Sequence, residues 1–490
     1  MLGGPKNLLD PRIHQNLALI AFFAWIGLGS DGLSSSAYGP EEAFLHLEHH
    51  RYLAVFVGLA MIATIFLISA SYIQIIELFP SGGGGYVVAT RLLGTGPGLV
   101  SGCALVVDYI LTIAISVAAG CDAIFSFLPT ELHGLKLGAE LAVVLGLVVL
   151  NMRGIRESVL VLTPIFLAFM ASHVALILLG IFAHAPVFHH LAADTAQDVH
   201  AAVRDLGLWG VIVVFLRAFS LGGGTFTGIE AVSNSTEILQ EPKVATGRKT
   251  MIYMAVSLAF TAGGILLCYL LNDVQQQPGR TLNASLWEML TRGWRMGGID
   301  IGPFVVWITL LSEGALLFVA AQTGFVAGPR TLGSMAVDSW VPKRLGHLSE
   351  RLVTQNGVLF MGLAAALVVF YTAGAVKLLV VMYSINVFMT FTLTQAGMAH
   401  HWWSTRGRQD HWRRRLTVAV TGTAVTAGIL GVTTIVKFGE GGWITLVATG
   451  LLAAICSAVR WQYRRVRRML SSLDEALTQL PMPEPRTPPE

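Results

Sequence analysis

The chain has 490 residues, of which 54% are hydrophobic and only 12% are charged, and its mean hydropathy is +0.65. This composition is typical of a membrane protein with many spans and excludes a soluble globular protein. The formal net charge of +3 gives no indication of nucleic-acid binding.

Twelve apolar stretches approach the length that crosses a bilayer, about 20 residues. The polar segment 1–16 before them has no cleavable signal pattern and is predicted to be a cytoplasmic N-terminus. The predicted spans are 17–46, 53–79, 99–127, 137–151, 158–182, 209–239, 251–272, 303–326, 357–373, 375–399, 416–437 and 441–459.

Lysine and arginine residues set the expected orientation of these spans. Because the number of spans is even, both termini lie on one side. With the termini inside, the inner segments carry 23 of the 32 lysines and arginines and the outer segments carry 8, with Arg217 placed inside a span. This bias predicts cytoplasmic termini and a multi-pass protein of the plasma (inner) membrane.

The first span is interrupted by a run, 27–42, that contains glycines, serines, a proline and the carboxylates Asp31, Glu41 and Glu42. Irregular backbone at membrane depth is tolerated only where it is buried in protein or lines a water-filled cavity. The run predicts a helix break at 29–36, and its unwound backbone comprises Gly29, Ser30 and Gly32. An acid at such a break is typical of a substrate or ion site.

A second run of this kind, 220–228, interrupts span 6, and its predicted unwound backbone comprises Gly222, Gly223, Gly224 and Gly228. Spans 1 and 6 begin two five-span halves, 17–182 and 209–399, which an extracytoplasmic loop at 183–208 connects. Spans 11 and 12 follow at 400–459, and a cytoplasmic tail at 460–490. Since five is odd, the halves have opposite topology. Matched broken helices in inverted halves predict a transporter site at the bilayer midplane; the alternative is that the glycines only allow close helix packing.

Asp31 falls at the predicted break of span 1, where the first half-helix is expected to end. The carbonyl groups at the C-terminal end of a helix carry partial negative charge. A carboxylate beside them attracts a cation and repels an anion, so the break favours a cationic substrate. The alternative is that Asp31 caps the second half-helix, which does not exclude ion binding.

Tyr109, Thr112 and Ser116 are spaced i, i+3 and i+7 in span 3, so their hydroxyl groups share one helix face. A dehydrated alkali ion needs several oxygen ligands, mainly carbonyls and hydroxyls. From the spacing alone, hydrogen bonds from Thr112 and Ser116 to their own helix backbone are the better explanation.

Thr227 and Glu230 are one helical turn apart near the break in span 6, and Glu230 is expected to face the same cavity as Asp31. Two carboxylates at one site repel one another, so one of them is expected to carry a proton when no cation is bound. We expect Glu230 to be the proton-coupling residue. The alternative is that Glu230 is a fixed cation ligand and that the proton is carried elsewhere.

Other acids lie in or near the spans. We expect Asp108 either to face the interior or to pair with Arg217, since a buried charge needs a partner. Glu41 and Glu42 are expected toward the outer face, and Glu313 in a polar contact between helices.

No cofactor or resident metal is expected. Histidines cluster in loops, among them the pairs His49–His50 and His189–His190, but the spaced cysteines or carboxylates of a zinc site do not accompany them. The cysteines, which are interpreted as small buried hydrophobes without a disulfide, are Cys103, Cys121, Cys268 and Cys456. No nucleotide-binding or nucleophile motif is present, so neither an ATP-driven pump nor an enzyme is expected.

Three phrases resemble signatures of the amino acid–polyamine–organocation (APC) superfamily. They are FPSGGGGY at 79–86, NMRGIRES at 151–158, and PR at 329–330 followed by AVDSWVP at 336–342. The resemblance covers about residues 15–460 and implies an all-α membrane fold, a LeuT-like inverted five-plus-five repeat with broken helices 1 and 6.

A narrower resemblance is to the KimA-type potassium importers, whose relatives couple transport to protons. It implies an ion site formed by Asp31, Tyr38, Tyr109, Thr112, Ser116, Thr227 and Tyr383, and Glu230, the expected proton-coupling residue, matches the sixth-span pair of those importers together with Thr227. Without the resemblance, Tyr383 is expected only to pack. The segment 437–443 is also similar, but the large soluble C-terminal domain common in those importers does not follow the last span here.

The resemblance therefore implies proton-coupled potassium uptake by alternating access, with transported K⁺ and H⁺ as ligands. The alternative is an amino-acid or polyamine permease, although carriers of the superfamily usually dock a substrate carboxylate on bare backbone amides, which Asp31 opposes. The tail segment 460–470 predicts a basic helix at the lipid headgroups. A homodimer is possible without specific support.

Overall fold

The computed structural model describes residues 19–47, 49–82, 84–153, 158–184, 188–347, 354–408 and 410–478. The α-helices are Ala21–Ser34, Gly39–Leu45, Ala54–Leu78, Gly85–Leu93, Thr95–Phe125, Lys136–Arg153, Ser158–Phe182, Phe188–Leu221, Ala231–Asn234, Lys243–Leu271, Leu282–Thr291, Gly302–Val337, Gln355–Thr372, Val376–Ser404, Trp412–Lys437 and Gly442–Thr478. Short 3₁₀ segments are Ser35–Ala37, Arg51–Leu53, Thr130–Leu135, Gly222–Phe226, Thr236–Ile238, Lys343–Leu345 and Phe438–Glu440. The strands Arg295–Met296 and Ile299–Asp300 form an antiparallel pair.

Eleven helices in the described ranges are long and apolar enough to cross a membrane. The predicted first span is not among them, because its break divides it into helices of 14 and 7 residues. The eleven helices correspond to predicted spans 2 to 12. The predicted spans 9 and 10 leave only one residue between them, and a tight turn joins them in the structure, where Ala373 and Gly374 have φ of 49° and 67°.

Spans 1 and 6 cross in opposite directions through the middle of the protein. At the start of span 1, the Leu19 amide donates to Ile238 O, and its carbonyl accepts from Gln240. Residues farther along span 1 contact residues that come earlier in span 6. Ser35 reaches the Thr225 carbonyl, and Ala43 faces Gly222. This antiparallel crossing is the arrangement that two inverted halves require.

The surroundings of the spans differ greatly. The most apolar stretch of span 3 is wholly buried inside the protein, where it packs against spans 8 and 10, whereas that of span 12 is only 22% buried. Span 3 is therefore a central element, while most of span 12 is available to lipid.

The segment between spans 5 and 6 differs from the predicted loop. A helix, Phe188–Leu221, occupies most of it and continues into span 6 through a kink at Gly207, which has φ 70° and ψ 166°. Only glycine adopts this conformation readily. The kink converts a surface helix into the start of span 6.

The face on which span 12 extends past residue 460, called here the tail face, joins three parts of the chain. The Tyr86 hydroxyl donates to Asp338 at 2.5 Å, so the first and last predicted family phrases are in contact. The Arg460 guanidinium lies 3.8 Å from the centre of the Trp340 ring, and Tyr463 accepts from the Lys343 amide. Three parts of the sequence-based predictions lie outside the described residues. They are the N-terminal segment 1–16, the middle of the phrase at 151–158, and the end of the predicted tail, 481–490.

The four cysteines are buried, as expected for small apolar side chains. The thiols of Cys103 in span 3 and Cys456 in span 12 lie 3.9 Å apart.

Candidate functional site

The break in span 1 begins later than predicted. Gly29, Ser30, Asp31 and Gly32 all belong to the first half-helix, Ala21–Ser34, and the backbone departs from α-helical geometry only at Ser35. Asp31 therefore projects from the last turn of the half-helix, and the prediction that it lies at the unwound point is wrong. A Cβ at Gly29 would lie 2.9 Å from the Trp25 ring, so this glycine permits close packing.

Side-chain hydrogen bonds and a proline explain why the helix ends where it does. Ser34, Ser35 and Ser36 each donate to the carbonyl three residues earlier, at 2.5 to 2.8 Å. These bonds occupy the carbonyls at the end of a helix that would otherwise lack partners. Pro40 then begins the second half-helix, Gly39–Leu45, and as a proline it cannot continue the first.

Span 6 breaks where the sequence predicts it. Gly222, Gly223 and Gly224 form a 3₁₀ segment, Thr227 is extended, and Gly228 has φ +72°. Span 6 resumes only as the short helix Ala231–Asn234. Span 1 passes so close that a Cβ on Gly228 would lie 2.5 Å from the Gly32 nitrogen.

Ser35 connects the two breaks, and this bond gives a first prediction. Its hydroxyl lies 2.8 Å from the Thr225 carbonyl as well as 2.5 Å from the Gly32 carbonyl. Ser35→Ala should lower the free energy of unfolding by about 1 kcal/mol, seen as a lower thermal midpoint in detergent. Ser34→Ala is the matched control, because Ser34 bonds only to its own helix at Asp31 O. Equal effects of the two changes would show that Ser35 does not connect the breaks.

Three carboxylates meet beside the breaks. Asp31, Asp108 and Glu230 are 3%, 1% and 4% exposed, respectively, and Asp108 interacts electrostatically with both of the others. One buried oxygen of Asp108 and one of Glu230 have no hydrogen-bond partner. Asp108 faces the interior, which was one of the two alternatives, although it was not among the predicted site residues. The available signal was an acid in the middle of an apolar span.

Hydroxyl groups surround the three acids. The Tyr38 hydroxyl lies 3.5 Å from Thr227 Oγ1, and the Tyr383 side chain interacts with the Asp108 carboxylate. Tyr109 accepts a hydrogen bond from Asn234 at 2.6 Å. Tyr72, in span 2, lies within electrostatic range of Glu230 and was not predicted. All four tyrosines are buried, as are the three acids.

The predicted polar stripe of span 3 is buried at the same level. The Thr112 hydroxyl donates to its own helix at Asp108 O, at 3.0 Å, as the spacing alone indicates. Its oxygen still has lone pairs for an ion. Ser116 is buried one turn farther along.

The expected pair of Asp108 and Arg217 does not form. Arg217 instead bonds to Glu440 at 3.0 Å, and Glu440 also accepts from the buried Lys437 at 2.6 Å. Lys437 and Glu440 lie at the connection between spans 11 and 12, so Arg217 of span 6 pairs with that connection and not with the acid cluster. Sequence alone could not show this, because residues distant in the chain form the pair.

The main electrostatic property of the site is how the negative charge of the three acids is balanced. In the part of the chain that the structure describes, no lysine, arginine or histidine forms an ion pair with Asp31, Asp108 or Glu230. Buried ionised groups need a counter-charge or a proton. The cluster is therefore suited to bind cations.

The remaining predicted acids lie on the other side of the break from Asp31. Glu41 and Glu42 occupy the first turn of the second half-helix, where the helix dipole favours negative charge. Glu313 makes the expected polar contact between helices, with His173 and Asn283.

Two interrupted helices crossing around buried acids, with ten further membrane-length helices in the described ranges, define the class as a membrane transporter of the LeuT-like five-plus-five fold. A solved Na⁺-coupled sialic acid symporter shares this fold, with a TM-score of 0.51 at 13% identity over 87% of this chain and 91% of the symporter chain.

The family model described as amino acid permease matches residues 20–456, and the chain belongs to this family of the APC superfamily. The potassium transporter KimA of Bacillus subtilis is 29% identical over 455 residues, which is 91% of this chain and 72% of KimA. The branched-chain amino acid permease BcaP of Lactococcus lactis is 21% identical over 318 residues, 61% of this chain and 64% of BcaP. These relatives are transporters.

Proposed function

We propose that the protein takes up potassium together with protons. Both termini are cytoplasmic, and the protein lies in the plasma membrane. The observation that carries this proposal is the buried cluster of Asp31, Asp108 and Glu230, which has no basic partner among the described residues. A monovalent cation supplies the missing charge, and its ligands are Asp31 and the oxygens of Tyr38, Tyr109, Thr112, Ser116, Thr227 and Tyr383. Similarity to KimA supports the choice of potassium.

The tight packing of the site supports a monatomic ion. Gly228 lies against Asp31, and a Cβ on Gly224 would lie 3.0 Å from the Tyr38 ring. A small ion fits between such surfaces more easily than an extended organic cation.

Charge also supports coupling to protons. One potassium ion neutralises only one of three carboxylates, so protons must hold most of the remaining charge. We assign the transported proton to Glu230, which precedes the short helix Ala231–Asn234 at the break and has one buried oxygen without a hydrogen-bond partner among the described residues. The break lets the two half-bundles rock, which opens the site to one side at a time.

The experiment is uptake of rubidium into proteoliposomes that contain the purified protein, with an imposed proton gradient. Uptake should depend on the gradient, and unlabelled potassium should compete with it. Labelled leucine and labelled putrescine are tested in the same vesicles, because the family and the BcaP match leave an amino-acid or polyamine substrate as the second candidate. Accumulation of either one without rubidium uptake would overturn the potassium proposal.

Glu230→Gln tests the coupling role separately. The amide resembles a protonated carboxyl, so the ion site should persist while the gradient no longer drives uptake. We expect gradient-stimulated rubidium uptake to fall at least about tenfold, since proton transfer groups contribute about 10²-fold or more to the steps they serve. Potassium should still raise the thermal midpoint. If a pH dye inside the vesicles still reports proton entry with the ion, the proton travels on another acid, and Asp108 is the next to test.

A further inference from the structure

A second cluster of buried polar side chains lies toward the side of the protein opposite the tail face. The proposed transport cycle does not use it. We call it the outer network, and its members are His173, Tyr269, Asn283 and Glu313. They come from span 5, span 7, the helix Leu282–Thr291 and span 8, and all four are buried. Tyr269 donates to Asn283 Oδ1 at 2.5 Å, and Asn283 Nδ2 donates to both oxygens of Glu313 at 3.2 Å.

The geometry around His173 points to an extra proton in the network. His173 Nδ1 lies 3.0 Å from the Phe169 carbonyl and 3.3 Å from the Ser172 hydroxyl. The carbonyl can only accept, and the Ser172 hydroxyl donates its one hydrogen to the same carbonyl at 3.1 Å, so Nδ1 carries a hydrogen. The other nitrogen, Nε2, lies 3.2 Å from Glu313 Oε2. A neutral imidazole has only a lone pair there, and an ionised carboxylate has only lone pairs as well. A hydrogen bond between them therefore requires one proton, on Nε2 or on the carboxyl group.

The outer network also contacts the break in span 1, from which the second half-helix follows. Asn283 Nδ2 lies 3.5 Å from the carbonyl of Ala37, at the break itself. If the proton leaves, the facing lone pairs of His173 and Glu313 repel, and Glu313 must turn away. Asn283 loses its acceptors at the same time and no longer holds Ala37. Loss of the proton therefore frees the second half-helix.

Two other ionisable groups lie within electrostatic range of Glu313, Glu41 on the second half-helix and Tyr269 on span 7. Asp122, which pairs with Lys136, lies within range of Glu41, and Cys268 lies within range of Tyr269. Glu41 is the nearer acid in this respect, and when it is ionised its negative charge favours retention of the proton by the pair.

We propose that His173 and Glu313 form a second proton-binding site, separate from Glu230, which holds the second half-helix of span 1 while the proton is bound. Its ligand is a proton from the outer solution. The proton site is argued from this geometry alone, and only its part in potassium uptake rests on the function proposed above.

Trp287 provides a direct readout of the pair. Its ring meets the His173 ring edge to face, with centroids 5.4 Å apart, and a protonated imidazole quenches indole fluorescence. Emission of the purified full chain is titrated from pH 5 to 9 without added potassium, and Trp287→Phe identifies the share of this tryptophan. We expect a step in emission that His173→Gln and Glu313→Gln both remove. Each glutamine keeps a hydrogen bond to its partner without the extra proton, so both variants should fold.

His184→Gln is the matched control, because His184 lies on the end of span 5 and makes the same type of bond, to Gly180 O. It should leave the Trp287 step unchanged. No step in the wild-type protein, or a step that survives in both glutamine variants, would overturn the proposal.

A transport assay tests the consequence of the second proton site for potassium uptake. Rubidium uptake into proteoliposomes is measured as the outer pH is varied at a fixed inner pH. The dependence on outer pH should become several-fold weaker in His173→Gln, while potassium should still raise its thermal midpoint. An unchanged pH profile would overturn the link to the half-helix. A Trp287 step without any rubidium uptake by the wild type would leave the proton site standing and remove only the potassium function.

Discussion

Asp31→Asn is expected to abolish potassium-dependent transport. The change keeps the shape of the side chain but removes a negative charge from a buried cluster for which the described part of the chain supplies no basic partner. Removing one partner of a buried ion pair costs about 3–5 kcal/mol, so affinity for the ion should fall by a factor of about a hundred or more. Rubidium uptake in proteoliposomes measures the loss.

Binding must be separated from folding in this test. The wild-type protein should gain thermal stability with added potassium, since a ligand that binds only the folded state stabilises it. Asp31→Asn should remain folded but lose this gain. The matched control is Glu77→Gln, which removes an acid of span 2 that pairs with Arg415 at the tail face, where ion pairs contribute little. Equal uptake by Asp31→Asn and the control would remove Asp31 from the ion site.

Gly228→Ala is expected to stop transport by a different route, through the crossing of the two broken helices. A methyl group there would lie 2.5 Å from the Gly32 nitrogen and 2.9 Å from Asp31 Cγ. The residue also has φ +72°, which costs a side chain about 1 kcal/mol. Overpacking adds about 1–3 kcal/mol. We expect rubidium uptake near background and a lower thermal midpoint.

Gly297→Ala separates backbone strain from crowding. Gly297 also has positive φ, 59°, but no atom lies within 4 Å of its Cβ position, in the loop before span 8. It should transport normally with a small loss of stability. If Gly228→Ala behaves in the same way, spans 1 and 6 are not in close contact during the cycle, and the tight packing does not support a monatomic ion.

Local patterns were sufficient for the class of fold. Apolar length predicts the spans, because a bilayer of fixed thickness demands it. The glycines of 222–228 predict the second break correctly. Gly222, Gly223 and Gly224 are consecutive and offer no side chains to pack a regular helix, and Gly228 follows four residues later. The first break was misplaced by several residues, because Gly29 and Gly32 serve close packing and the serines that follow end the helix.

The candidate site was predicted in part. Asp31 and Glu230 do come together around Gly228, as their matched positions beside two breaks indicate. Asp108, Tyr72 and Asn234 were not assigned to the site. Each comes from a different span, and no spacing within one helix shows which neighbour it meets.

The amino-acid sequence by itself determined that this is a helical membrane transporter with two interrupted helices and acids beside both, because hydropathy and helix-breaking residues act locally along the chain. Only the tertiary structure decided which charges meet. Arg217 pairs with Glu440 and leaves Asp108 with Asp31 and Glu230, and Glu313 meets His173. The physical reason is that the low-dielectric interior makes each buried charge depend on its immediate neighbours, and the packing of distant spans chooses those neighbours.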